Sequence, residues 1–104
     1  MQNRVINDTS KTISTTSIVI SQAVYGSERV IITLANTSLA GETISLAWGK
    51  DAIAGQGIVL KQGQTISFSK DAGYTPSDQQ LNAIASVATA TLAIHEEINI
   101  GEGY

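Results

Sequence analysis

Glu42-Thr43-Ile44-Ser45-Leu46-Ala47-Trp48 is the strongest single strand signal in the chain. It alternates with a period of two. Ile44, Leu46 and Trp48 fall on one side, and Thr43, Ser45 and Ala47 on the other. Successive side chains of a β-strand point to opposite faces, so this segment reads as a strand with one buried face. Upstream, Asn36-Thr37-Ser38 and Gly41 mark a turn. Before it, Arg29–Asn36 carries Val30, Ile32 and Leu34 on one face and reads as a second strand. Gly26-Ser27 forms the preceding turn, and the β-branched run Ser17–Val24 a third strand.

Downstream, Gly49–Gln56 is a Gly- and Ala-rich connection, and Gly57–Leu60 a short strand. Lys61-Gln62-Gly63-Gln64 is a tight turn, with Gly63 suited to positive φ. Thr65–Ser69 alternates again, placing Ile66 and Phe68 inward. Lys70–Gln80 is a longer loop containing Gly73 and Pro76; Thr75 and Pro76 allow one helical turn over Pro76–Gln80. Leu81–Ser86 and Ala90–Glu97 read as strands around a Val87-Ala88-Thr89 turn. Their alanines favour helix, but Val87, Thr89, Thr91 and Ile94 are β-branched and every neighbour is a strand. The fold class is therefore all-β: a small β-sandwich, jelly-roll or Ig-like, of about seven or eight short antiparallel strands. Residues 1–16 are Ser/Thr-rich and poorly periodic and read as an extended N-terminal arm. Residues 17–98 form the sandwich, and residues 99–104 a loose C-terminal tail.

The chain has 104 residues, the size of one domain. Hydrophobic residues make up 42%, enough for a core, whereas charged residues make up 14%, well below the roughly 25% usual for globular domains. The net charge is -3 with no basic patch, which argues against nucleic-acid binding and a polybasic membrane anchor. No apolar run is long enough for a spanning helix, and the residues after Met1 do not resemble a secretory leader, so synthesis in a cytosol is expected. The absence of cysteine rules out disulfides, thiolate metal sites and thiol nucleophiles in this sequence.

Few residues could carry chemistry, and the expectation is a protein that is not an enzyme and holds no cofactor or metal. His95 is the only histidine. On a strand it shares a face with Glu97, whereas Glu96 points the other way, so His95 reads as a surface or interface residue. Asp51, Asp71 and Asp78 lie in loops without the dense oxygen ladder that calcium needs. The glycines from Gly49 to Gly57 lack the Gly-Lys-Ser/Thr ending of a phosphate loop. Asn7-Asp8-Thr9 and Asn36-Thr37-Ser38 fit the glycosylation triplet, which occurs often by chance. Trp48 and Phe68 read as core, Tyr74 and Tyr104 as contact residues. An unpaired arm gains order from a partner strand, so Arg4, Val5, Ile6 and Ile13 join Tyr74 and Tyr104 as candidate partner-binding residues.

Three stretches carry a resemblance. They are Ile31–Ser38 followed by Thr43–Gly49; Ala54–Phe68; and Gly73-Tyr74-Thr75 with Leu81–Glu96. Their order of turns and strands resembles small β-sandwich virion proteins of tailed bacteriophages, of the head decoration or cement kind. Pro76–Gln80 departs from that pattern as an insertion. The resemblance implies a non-enzymatic structural protein of the virion: a capsid decoration or cement protein, dimeric or trimeric. Its partners would be the major capsid protein or other virion subunits, with no nucleic acid and no membrane. Two alternatives stay open. One is a phage tail, fibre or filament subunit assembled by strand exchange. The other is a small carbohydrate-binding module using Tyr74 and the Gly49–Gln56 loop.

Overall fold

The computed structural model describes the backbone of residues 2–23, 28–73, 76–87 and 89–102, and their side chains apart from those of residues 2, 3 and 100–102. It is all-β. The strands are β1 (Gln2–Ile13), β2 (Ile18–Ser21), β3 (Glu28–Asn36), β4 (Ile44–Trp48), β5 (Ile58–Leu60), β6 (Thr65–Ser69), β7 (Leu81–Ala85) and β8 (Ala90–Glu102). They form two four-stranded sheets, ordered β1-β8-β3-β6 and β2-β7-β4-β5. Every pairing is antiparallel. Only the β4–β5 connection stays within one sheet; each of the others crosses between sheets. That winding is the jelly roll, which selects between the two sandwich types read from the sequence.

The core lies between the sheets. Ile32, Leu34, Leu92 and Ile94 of the first sheet face Ile44, Leu46, Leu60 and Leu81 of the second. In Ile44–Trp48 the apolar side faces the core, with Ile44 and Leu46 buried and Trp48 packed against the cluster, but Ser45 on the opposite side is buried as well, under the Gly49–Gly57 connection. Its ring meets Phe68 edge-to-face, with centroids 5.8 Å apart. The Lys61–Gln64 turn closes with a Gln64 N–H to Lys61 carbonyl bond of 2.9 Å, and Gly63 has φ of 80°.

Two expected boundaries change. The arm is a strand of the fold: β1 pairs with β8 from Gln2 opposite Glu102 to Ile13 opposite Ala90. The tail from Asn99 to Glu102 is the end of β8. The reason is coverage. The β1 residues whose partners line the core face of β8 are Val5, Asn7, Thr9, Lys11 and Ile13. The opposing edge strand β2 has only 4 residues, so of these five only Ile13 is buried. Uncovered positions have no need to be apolar, and the strand loses its alternation.

The helical turn allowed at Pro76–Gln80 does not form; that segment is irregular. The Ser77 and Gln79 carbonyls accept hydrogen bonds from Arg29. The Gly49–Gly57 connection is tied down on the second sheet. Gly55 N–H donates to Ser45 Oγ and Ala52 N–H to Ser17 Oγ, both at 2.9 Å, and the Asn82 amide donates to the Lys50 carbonyl. Asn36 is 1% exposed. Its amide donates to the Glu42 and Leu60 carbonyls at 2.9 Å, so the Asn36-Thr37-Ser38 triplet offers no glycan acceptor.

Candidate assembly surface

β1 is the longest edge of the molecule. It has 12 residues and is paired on one side only, against β8. The other edges, β2, β5 and β6, have 4, 3 and 5 residues. An edge strand presents a row of backbone donors and acceptors that no neighbour satisfies, and such a row recruits another strand.

The expected contact residues divide. Arg4, Val5 and Ile6 sit together at the exposed start of β1, with Val5 38% and Ile6 58% exposed. Arg4 donates through Nη1 to Glu97 Oε1 at 3.1 Å and through Nε to Asn99 Oδ1 at 3.4 Å. Ile13 is a correction: it is fully buried in the core, because β1 ends where the second sheet does cover it. Tyr74 and Tyr104 lie outside the described residues.

The two faces of β8 carry two charged clusters. On the outer face, His95 Nδ1 lies 2.6 Å from Asp8 Oδ1 of β1, and His95 Nε2 lies 2.9 Å from Glu97 Oε2. The His95–Glu97 pairing follows from strand alternation. Asp8 enters through the β1–β8 register, in which it stands opposite His95. The carboxylates approach different ring nitrogens and do not converge on a common point. Among the described residues no three His, Asp or Glu side chains could share a metal ion.

On the inner face, Glu96 meets Arg29, a pairing that sequence reasoning missed. The cause is a bulge in β3. Arg29 pairs with Ile98 but Ile31 with Glu97, so Val30 is an extra residue and the register slips by one. The slip turns Arg29 to the same face as Ile32, and its side chain is 0% exposed. All five guanidinium donors find acceptors. Nε donates to Glu96 Oε2 at 2.7 Å; Nη2 donates to Ser21 Oγ and the Gln22 carbonyl, both at 2.8 Å. Nη1 serves the Ser77 and Gln79 carbonyls. Ser21 Oγ donates to the same Glu96 oxygen at 2.5 Å, and the Trp48 ring centroid lies 5.2 Å from the guanidinium carbon. Glu96 also borders an open cleft of about 320 Å³ between β1 and β2, with Asn7, Thr9 and Lys11 on one wall and Ile20 and Gln22 on the other.

No family model matches the sequence, and no curated protein matches it. Among solved structures, one similar chain comes from Bacillus endospore appendages, described as a novel family of disulfide-linked pili. It is 17% identical, with a TM-score of 0.53, over 99% of this chain and 92% of that one. The likeness is one of fold, and it extends over the whole sandwich, β1 included.

Proposed function

We propose that this chain is a non-enzymatic structural subunit that joins copies of itself into an open-ended surface filament, with β1 as an assembly edge. The observation that carries the reading is the 12-residue strand paired on one side only. A heterologous edge contact that does not close into a ring propagates indefinitely. The shared fold with an appendage subunit supports the filament alternative over capsid decoration. The neighbour's pili are described as disulfide-linked, whereas this sequence has no cysteine. Contacts among these 104 residues would therefore rest on hydrogen bonds and packing, and reductant would leave them intact.

Capsid decoration as a dimer or trimer is the second reading. It relied on residues 1–16 as a free docking arm, and β1 is instead part of its own sheet.

The test is a concentration series of the full chain, followed by light scattering and negative-stain microscopy. Particle mass should grow with concentration and end in fibres that survive reductant. A monomer, or a closed dimer or trimer at every concentration, overturns the filament. Thr9→Pro and Ser10→Pro locate the edge. Alternate residues of an edge strand turn their N–H toward β8 or away from it. One proline should weaken assembly and leave the monomer folded; the other should weaken the fold.

A further inference from the structure

The His95 ring stands between two carboxylates, Asp8 at 2.6 Å on Nδ1 and Glu97 at 2.9 Å on Nε2. Ionised carboxylates only accept hydrogen bonds, so both contacts are bonds only when both ring nitrogens donate. That species is the imidazolium. A neutral ring has one N–H and would turn a lone pair toward one of the carboxylates.

The two carboxylates are not held equally. Glu97 is 17% exposed and also accepts from Arg4 Nη1 at 3.1 Å. Asp8 is 74% exposed, and His95 is its one charged partner among the described residues. Across from His95 on β3 stands uncharged Thr33, which shares a 2.8 Å hydrogen bond with Ser67 of β6. Glu96 points through the sheet to Arg29. The charged groups facing the ring are therefore Asp8 and Glu97, with Arg4 behind Glu97.

We infer that His95 is a proton-operated clasp on the edge strand: protonated, it ties β1 to β8 through Asp8, and on losing its proton it releases Asp8 and loosens the middle of β1. The consequence for assembly rests on the reading of β1 as the assembly edge. A clasped β1 is an ordered template for the next strand, and an unclasped one must be ordered again at each addition.

The ring's hydrogen bond to Asp8, and next that to Glu97, raise the His95 pKa above its ordinary 6.5, against desolvation. A raised folded-state pKa gives stabilisation that is complete below the unfolded value and is lost as pH rises through the folded one. The clasp therefore opens above about pH 6.5, on the alkaline side. His95 is the only histidine and cysteine is absent, so no other side chain of ordinary pKa titrates across this window.

The experiment uses the full chain below its assembly concentration. Amide protection factors along β1 and the His95 ring signal are followed by NMR from about pH 5.5 to 9, in the wild type and in His95→Gln. Protection over residues 5–11 should fall about two- to five-fold as the ring titrates, and stay level in His95→Gln. Asp8→Asn, which spares the ring, should also stay level. A level wild type, or the same step in both variants, overturns the clasp. Filament mass is then measured across the same pH range and should fall with the β1 step. A β1 step without change in assembly keeps the clasp and overturns β1 as the assembly edge. Filaments without a β1 step keep the assembly reading and overturn the clasp.

Discussion

His95 and Glu96 are neighbours on β8, yet they belong to clusters of opposite character. Glu96 faces inward to a guanidinium with 0% exposure, whose every donor is satisfied. His95 faces outward, 37% exposed, between one carboxylate that is well held and one largely in water. Both clusters join a cation to a carboxylate at hydrogen-bond distance. What separates them is the low-dielectric surroundings of one and the water around the other. A buried pair without its partner leaves an uncompensated charge, whereas an exposed pair trades its partner for water. The inner cluster is thereby structural, and the outer one free to respond to pH.

The largest expected effect comes from breaking the inner pair. Arg29→Ala should destabilise the fold by about 3–5 kcal/mol, read as a loss in chemical unfolding. The double variant Arg29→Met/Glu96→Leu should recover most of that loss, since matched apolar residues leave no buried charge. If the double variant is no better than the single one, the inner cluster matters for more than its charge balance.

The contrast within β1 comes next. Ile13→Ala should cost about 2–5 kcal/mol, because it empties core volume. Ile6→Ala, at the exposed end, should stay within about 0.5 kcal/mol while altering assembly if that end of β1 meets a neighbour. Equal losses would mean that the start of β1 is covered even in the monomer.

Gly57→Ala is expected to fall between these two. Gly57 has φ of 77°, and an added Cβ would lie 2.9 Å from the Leu46 carbonyl oxygen. Strain at such a position is worth roughly 1–3 kcal/mol.

The smallest effect lies on the acid side. Glu97 has a lowered pKa, first through the His95 hydrogen bond and also through Arg4. Glu42 has one too, through its own backbone N–H and that of Ala40. Lowered carboxylate values give stability that is present above the ordinary 4.5 and lost as pH falls through the folded-state value. Unfolding midpoints measured from pH about 6 down to 3 should drop, and Glu97→Gln and Glu42→Gln should each flatten part of the drop. An unchanged slope in Glu97→Gln would detach Glu97 from the outer cluster.

Much of the fold was legible because its signals are local. Ile44–Trp48 and Thr65–Ser69 alternate in residues that touch one another in sequence, and Gly63 sits where a tight turn requires positive φ. The candidate surface was only partly legible. Arg4, Val5 and Ile6 are candidate contact residues because the start of the chain is Ser/Thr-rich and poorly periodic, and they sit exposed on β1. Ile13 was misplaced for the same reason: nothing in the local pattern shows that sheet coverage begins at that residue. Arg29 reads in the sequence as the first residue of a strand, with no role of its own. One extra residue in β3, visible only in pairing with β8, turns it inward.

Alternation and turn chemistry act over a few residues, and they suffice for the all-β class, the positions of seven strands and the Lys61–Gln64 turn. Strand pairing and sheet packing set the jelly-roll order, the role of residues 2–13 as an edge strand, and the partners of Arg29 and His95. Those depend on register between strands at opposite ends of the chain, where Gln2 stands opposite Glu102. Register is set by which sheet covers which face, and no local pattern contains it.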